Sequence, residues 1–259
     1  MSDVPVIESP RLAALPGVRH AFFTRLGGAS EGVYGSLNVG LGSGDDPARV
    51  MENRERAARM LGGEAATLAS AYQVHSAEVV TAHSPFGETR PHADGVVTAT
   101  PGLICGALAA DCAPVLIADP EARVVAAVHA GWRGALAGVV EAGVAAMARL
   151  GASPGRMTAA IGPCIGPASY EVGLEFEAAF LAGDAANERF FRPGARTDKR
   201  LFDLPAFVLA RLAAAGVADA EWVGHDTLTD EALFFSNRRA VHRAERDYGR
   251  LLSAITISS

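Results

Sequence analysis

Three residues of this chain have side chains that a transition metal selects, and each sits in a local sequence suited to present it. They are His75 in Tyr72-Gln73-Val74-His75-Ser76, Cys112 in Ala110-Asp111-Cys112-Ala113-Pro114, and His129 in Val128-His129-Ala130-Gly131-Trp132-Arg133-Gly134. Two imidazoles and a thiolate suit zinc, and three protein ligands leave a fourth position for water, as in a catalytic rather than a structural site. The spacing is wide. It lacks the short Cys-x-x-Cys or His-x-x-x-His clusters that identify a zinc site unaided. The same residues also read as two polar loop histidines and a buried thiol.

Their neighbours extend the chemistry. The β-branched run at 124–130 brings His129 to the C-terminal end of a strand, where ligands gather in α/β architectures, and Gly131 lets the chain turn into a helix. Arg133, in the first turn, adds charge to an anion-attracting helix start, or makes a surface ion pair. Trp132 reads as a packing residue at that junction. Asp111 is costly to bury without a partner. With Asp94 it is a candidate proton carrier beside a metal-bound water, although Asp94 also fits a turn. Cys105 and Cys164 are expected to be structural. His20, His83, His92, His225 and His242 have no ligand spacing. The sequence contains no Walker phosphate loop, GxSxG elbow or HExxH helix, and no HxE with PCxxC of the cytidine-type deaminases.

The elements that must position these residues follow from the apolar pattern. Strands are expected at 18–25, 71–82, 94–98, 103–109, 113–118, 124–130, 157–162, 220–224 and 250–257, with helices from Asp46-Pro47 to about Leu61 and at 134–150, 171–182 and 203–215. This order implies an α+β fold: one layered α/β sandwich over 1–259, its central, mostly buried mixed sheet flanked by helices, with 1–17 as an N-terminal extension. The net charge of −6 argues against nucleic acid as a partner. Only Lys199 among the 23 basic residues is a lysine, so nearly all positive charge is in guanidinium forks that suit phosphate or carboxylate. No apolar run approaches a membrane span. The absence of a basic, then apolar, N-terminal leader and the odd count of three cysteines point to a cytoplasmic protein. A monomer is expected.

Read together, FFTRLGGASEGVYGSLNVG (22–40), NRERAARMLG (53–62), QVHSAEV (73–79), ADGVVT (93–98), LAADCAPVLIAD (108–119), VVAAVHAGWRG (124–134), IGPCIGPASYEVG (161–173) and FFSNRR (234–239) resemble the YfiH, or laccase-domain, family. Its members are also described as multicopper polyphenol oxidases and as peptidoglycan editing factors. The resemblance runs in order from about residue 18 to 257. It implies zinc on His75, Cys112 and His129, with copper as an alternative metal. It also implies phosphorolysis of adenosine, inosine, guanosine or methylthioadenosine and deamination of adenosine. Catalytic roles then fall to Cys112, Asp111 and Asp94. Arg25, Arg54 and Arg133 would hold phosphate, and Asn38 or Gln73 would bond sugar or base. Where many relatives carry Cys-Thr, this chain has Asp226-Thr227. The rival readings are a copper-dependent polyphenol oxidase, a Cys–His hydrolase with Cys112 as nucleophile and His129 as base, and a factor that binds a peptidoglycan precursor without nucleoside turnover.

Overall fold

Every residue of Ala113–Asp119 (β7) and Val124–Ala130 (β8) is buried, so both faces of their sheet must be covered. The computed structural model, which describes residues 4–87, 89–217 and 219–258, accounts for this with two stacked sheets. The six-stranded sheet has the order β13 (Asp219–Trp222), β9 (Thr158–Ile161), β7, β8, β5 (Gly95–Thr98), β4 (Val79–Thr81). It is mixed: the outermost pair at each edge is parallel and the inner pairs are antiparallel. The five-stranded sheet runs β1 (Val6–Ile7), β2 (Val18–Phe23), β14 (Leu251–Ile257), β6 (Ile104–Ala109), β3 (Leu68–Ala69). Only its β3–β6 pair is parallel. A small antiparallel sheet joins β10 (Glu171–Gly173), β12 (Lys199–Phe202) and β11 (Phe191–Pro193).

The period-two alternation of strands decides what meets what. Leu116, Ala118, Val125 and Ala127 pack with Phe22, Cys105, Ala107 and Ile255 of the other sheet. Their neighbours Val115, Ile117, Ala126 and Val128 point the opposite way, toward helices α4 (Val139–Arg149) and α6 (Leu204–Ala214). The outer face of the five-stranded sheet, including Phe23 and Ala254, packs with Ala57 and Ala58 of α2 (Pro47–Met60). The α+β sandwich is therefore four layers deep, with two central sheets instead of the one expected.

Local chemistry explains most boundaries. Asp46 accepts from Ala48 N at 2.9 Å with proline at the first helical position of α2, and Asp203 caps α6 in the same way. The helix expected at 134–150 is two helices, α3 (Trp132–Ala137) and α4, because Gly138 adopts a left-handed φ of 98°. Residues 4–17 are not an appendage. They supply β1 and the short helix α1 (Pro10–Ala13), whose Leu12 is fully buried. Buried His20 accepts from Ser9 N at 2.8 Å, and burial pulls its pKa down to about 4, which keeps the imidazole neutral as that acceptor. The remaining helices are α5 (Leu174–Gly183) and α7 (Asn237–His242). No helix among the described residues is long and apolar enough to cross a membrane.

Candidate metal centre

Of the strand expected at 71–82, Val79–Thr81 pairs as β4 and Tyr72 makes an isolated parallel bridge to His92, whereas residues 74–76 fold around one carboxylate. Asp94 accepts from the backbone N–H of Val74 at 3.2 Å, His75 at 3.0 Å and Ser76 at 2.6 Å, and from Ser76 Oγ at 2.8 Å. Its Oδ1 also lies 2.9 Å from His129 Nδ1. Burial pushes the Asp94 carboxyl up, but the bonds from His129 and Ser76 outweigh it and hold the group at about 2. One buried anion thus sets the loop that carries His75, at a left-handed φ of 60°, and the ring of His129. Both oxygens are committed to this frame, which gives Asp94 a positioning geometry.

Cys112 enters from the β6–β7 connection, after Asp111 at φ 85°. Asp111 accepts from Thr227 Oγ1 at 2.6 Å, Ser236 Oγ at 3.0 Å and Arg238 N at 2.6 Å. These bonds tie the Cys112 turn to the Thr227 turn and to the start of α7. Burial raises the Asp111 carboxyl pKa despite them. It too is a brace whose oxygens are already occupied.

The three ligand atoms offered by His75, Cys112 and His129 all lie within 4.8 Å of one another. Cys112 Sγ is 3.8 Å from His75 Nε2. Burial pushes the Cys112 thiol up, yet His129 and His75 bring it down to about 6. Burial likewise lowers the His129 imidazole, while Cys112 and Asp94 raise it to about 9. Each group of the pair thus favours the charged form of the other, and Asp94 adds to the effect on His129. A soft thiolate with two imidazoles, one of them held by a carboxylate through its other nitrogen, is a donor set that fits zinc and would also accept copper. Cys105 and Cys164 are fully buried, and burial raises both thiols.

Gly131 lies against this cluster. A Cβ there would stand 2.7 Å from His75 Cδ2 and 3.0 Å from Cys112 Sγ. Its φ of −66° suits any residue. Gly131→Ala should therefore leave folding nearly intact while weakening metal retention about tenfold or more, by displacing two ligands. Chelator competition beside a thermal melt checks both parts; a large fall in Tm with unchanged metal affinity would show that Gly131 serves the backbone instead.

Two cavities meet at the cluster. One, of about 270 Å³, includes Tyr72, Gln73, Arg90, Tyr248 and Arg250 in its lining. The other, of about 300 Å³, includes Trp132, Arg133, Tyr170, Asn237 and Arg238. Arg133 stands over the Trp132 ring at 4.8 Å, and Arg238 over Tyr170 at 5.3 Å. Gln73 borders the first cavity, but its amide is engaged in both directions with the Leu108 backbone. Three other expected contacts lie elsewhere. Asn38 is fully buried and bonds Ser43, Asp45, Gly40 N and Arg250 N. Arg25 lies over Phe235 in a separate cleft, and Arg54 is buried in α2. Sequence reasoning missed Tyr72, Arg90, Tyr170, Arg238, Tyr248 and Arg250 as lining residues. Arg238 had a signal in FFSNRR; Tyr248 and Arg250 had none.

The sequence profile of a family described as multi-copper polyphenol oxidoreductase laccase matches residues 19–258. The purine nucleoside phosphorylase of Deinococcus radiodurans is 44% identical over 237 residues, covering 91% of this chain and 88% of that protein. The Escherichia coli purine nucleoside phosphorylase YfiH is 40% identical over 243 residues, covering 92% and 93%. A Neisseria meningitidis crystal structure superposes with a TM-score of 0.87 at 35% identity over 98% of this chain and 99% of that one. Bacillus licheniformis YfiH does so with 0.85 at 28% over 93% of each.

Proposed function

This chain belongs to the multi-copper polyphenol oxidoreductase laccase family, with the YfiH proteins among its relatives, and from that premise we propose that it is a zinc-dependent purine nucleoside enzyme. The substrates are adenosine, inosine, guanosine and methylthioadenosine for phosphorolysis, and adenosine for deamination. The observation that carries the reading is the convergence of His75, Cys112 and His129 where a cavity with tyrosine faces meets one with two guanidinium groups. Relatives named purine nucleoside phosphorylase support it.

A zinc ion on these three residues would supply a Lewis acid at the junction. The chain's own groups do the rest. Tyr72 and Tyr248 offer faces on which a purine stacks. Arg133 and Arg238 hold phosphate on the other side, where their forks match its oxygens and can steady it as positive charge grows on the ribose ring. Asp94 keeps the Nδ1 proton of His129 in place, so that Nε2 faces the ligand cluster. Phenol oxidation would require several coppers and a richer histidine supply, whereas of the seven histidines only His75 and His129 join this group.

One observation favours a second reading. Asp94, His129 and Cys112 form a chain of contacts with a lowered thiol, the arrangement of a Cys–His nucleophile. Metal analysis combined with a nucleoside panel, with and without phosphate, separates the two. One zinc per chain and phosphate-dependent release of purine are expected; full activity in metal-free protein would favour the nucleophile.

Arg133→Met keeps much of the stem but removes the fork. It should lower phosphorolysis about ten- to a hundredfold, the worth of a charge-assisted hydrogen bond, and spare adenosine deamination, which consumes no phosphate. Equal loss of both activities would mean that Arg133 shapes the shared pocket.

A further inference from the structure

The arginines around the tyrosine-lined cavity differ in what neutralises them. Arg250 is paired with Asp247 at 2.7 Å. Arg54 is only 4% exposed, and its guanidinium donates to Val39 O at 3.2 Å and Ser70 Oγ at 2.9 Å. Among the described residues no carboxylate forms an ion pair with Arg54 or Arg90, and the one charge that acts on Arg54 is that of Arg90. Burial and the like charge of Arg90 depress the Arg54 pKa to about 10. Both arginines line a third cavity, of about 610 Å³, together with Leu41, Met51, Ser70 and Phe86. Leu41 and Arg90 also line the tyrosine cavity, so the two spaces adjoin, and Arg90 lies over the Tyr72 ring at 5.6 Å.

Two adjacent guanidinium groups, one of them buried, with no carboxylate of the described residues in ion-pair reach, leave positive charge that an incoming anion would neutralise. The phosphate consumed in phosphorolysis already has Arg133 and Arg238 on the opposite side of the ligand cluster. An anion beyond the tyrosine cavity is most simply one tethered to the nucleoside, and the apolar walls of Leu41, Met51 and Phe86 suit the stem of an ester. We propose that this chamber receives the 5′-phosphate of a purine nucleoside 5′-monophosphate, so that the ligand class extends from nucleosides to their phosphate monoesters. This inference rests on the purine nucleoside reading above. In phosphorolysis of such a substrate an oxygen of hydrogen phosphate bonds to C1′ as the C1′–N9 bond breaks. The electron pair and the proton from hydrogen phosphate go to the purine, which leaves ribose 1,5-bisphosphate.

The test is calorimetric titration of the zinc-loaded protein with adenosine, adenosine 5′-monophosphate and inorganic phosphate. The monophosphate should bind about tenfold or more tightly than adenosine, since guanidinium–phosphate contacts are charge-assisted. Arg54→Met should erase that advantage and leave adenosine affinity unchanged. Met51→Glu, at an exposed position of α2, should do the same by repulsion without risk to the core. A monophosphate that binds no better than adenosine, or an advantage that survives both variants, overturns the proposal. An Arg54-dependent site for inorganic phosphate without a gain for the monoester also overturns it, in favour of free phosphate. Failure of adenosine and monophosphate alike would overturn the purine reading itself, which the adenosine arm reports separately.

Discussion

Cys112→Ser is expected to abolish stoichiometric zinc binding and to lower purine nucleoside turnover by at least about a hundredfold, the upper range seen for disturbing even the outer partners of a metal. The thiolate is the single anionic donor among the three, and it lies between two imidazoles that favour its ionised form. A serine hydroxyl at the same place keeps its proton near neutral pH and is a poorer ligand for zinc. Cys105→Ser provides the contrast. That thiol is buried between the sheets, away from the ligand group, so the variant should lose about 1–3 kcal/mol of stability from an unsatisfied hydroxyl and keep both zinc and activity. Elemental analysis and turnover assays on the two proteins decide the matter, and equal activities would remove Cys112 from the site. Alkylation adds a second reading: saturating zinc should protect Cys112 from iodoacetamide, whereas a free nucleophile would react at the same rate with or without it.

The largest effect on the fold should come from Asp94→Ala. The carboxylate receives three backbone N–H groups, one hydroxyl and the His129 ring, and its side chain is fully shielded from solvent. Removing it leaves the buried His129 ring and several N–H and O–H donors unpaired, at a cost of about 3–5 kcal/mol, which corresponds to a fall in Tm of roughly 10 °C for a chain of this size. Zinc affinity should fall about 10–100-fold as well, since His129 loses the partner that fixes its ring. The pH dependence has a definite sign. The Asp94 carboxyl is held at about 2, below its ordinary 3.8, so its contribution is complete above the ordinary value and is lost as pH falls toward 2. Urea titrations of the wild type and the alanine variant should therefore differ most at pH 5 and above, and converge as pH drops from about 4 to 2. A constant gap across that range would show that the carboxylate does not titrate with the fold.

Element identity was largely legible because burial writes a short period into the chain. The runs at 103–109, 113–118 and 124–130 became β6, β7 and β8 with little change of boundary. Asp46-Pro47 and Asp203 marked helix starts that the structure keeps. The failures have specific causes. Residues 71–78 carry β-type residues, but three consecutive N–H groups turn inward to one carboxylate 18 to 20 residues away, and no local pattern announces that. The second sheet was invisible because strands buried on both faces look alike whichever neighbour covers them.

The sequence by itself determined the residue types for a metal site, the strand–glycine–helix segment that presents His129, the arginine-rich charge and the family. The tertiary structure alone decided that His75, Cys112 and His129 share one space. It engaged the oxygens of Asp94 and Asp111 in bracing hydrogen bonds, placed Asn38, Arg25 and Arg54 outside the two cavities at this cluster, and brought Tyr248 and Arg250 into one of them. The reason is physical. A side chain's chemistry is local, whereas its partners are set by strand pairing and layer packing between distant segments, as in the β2–β14 pairing and the bond from Arg250 N to Asn38 across 212 residues.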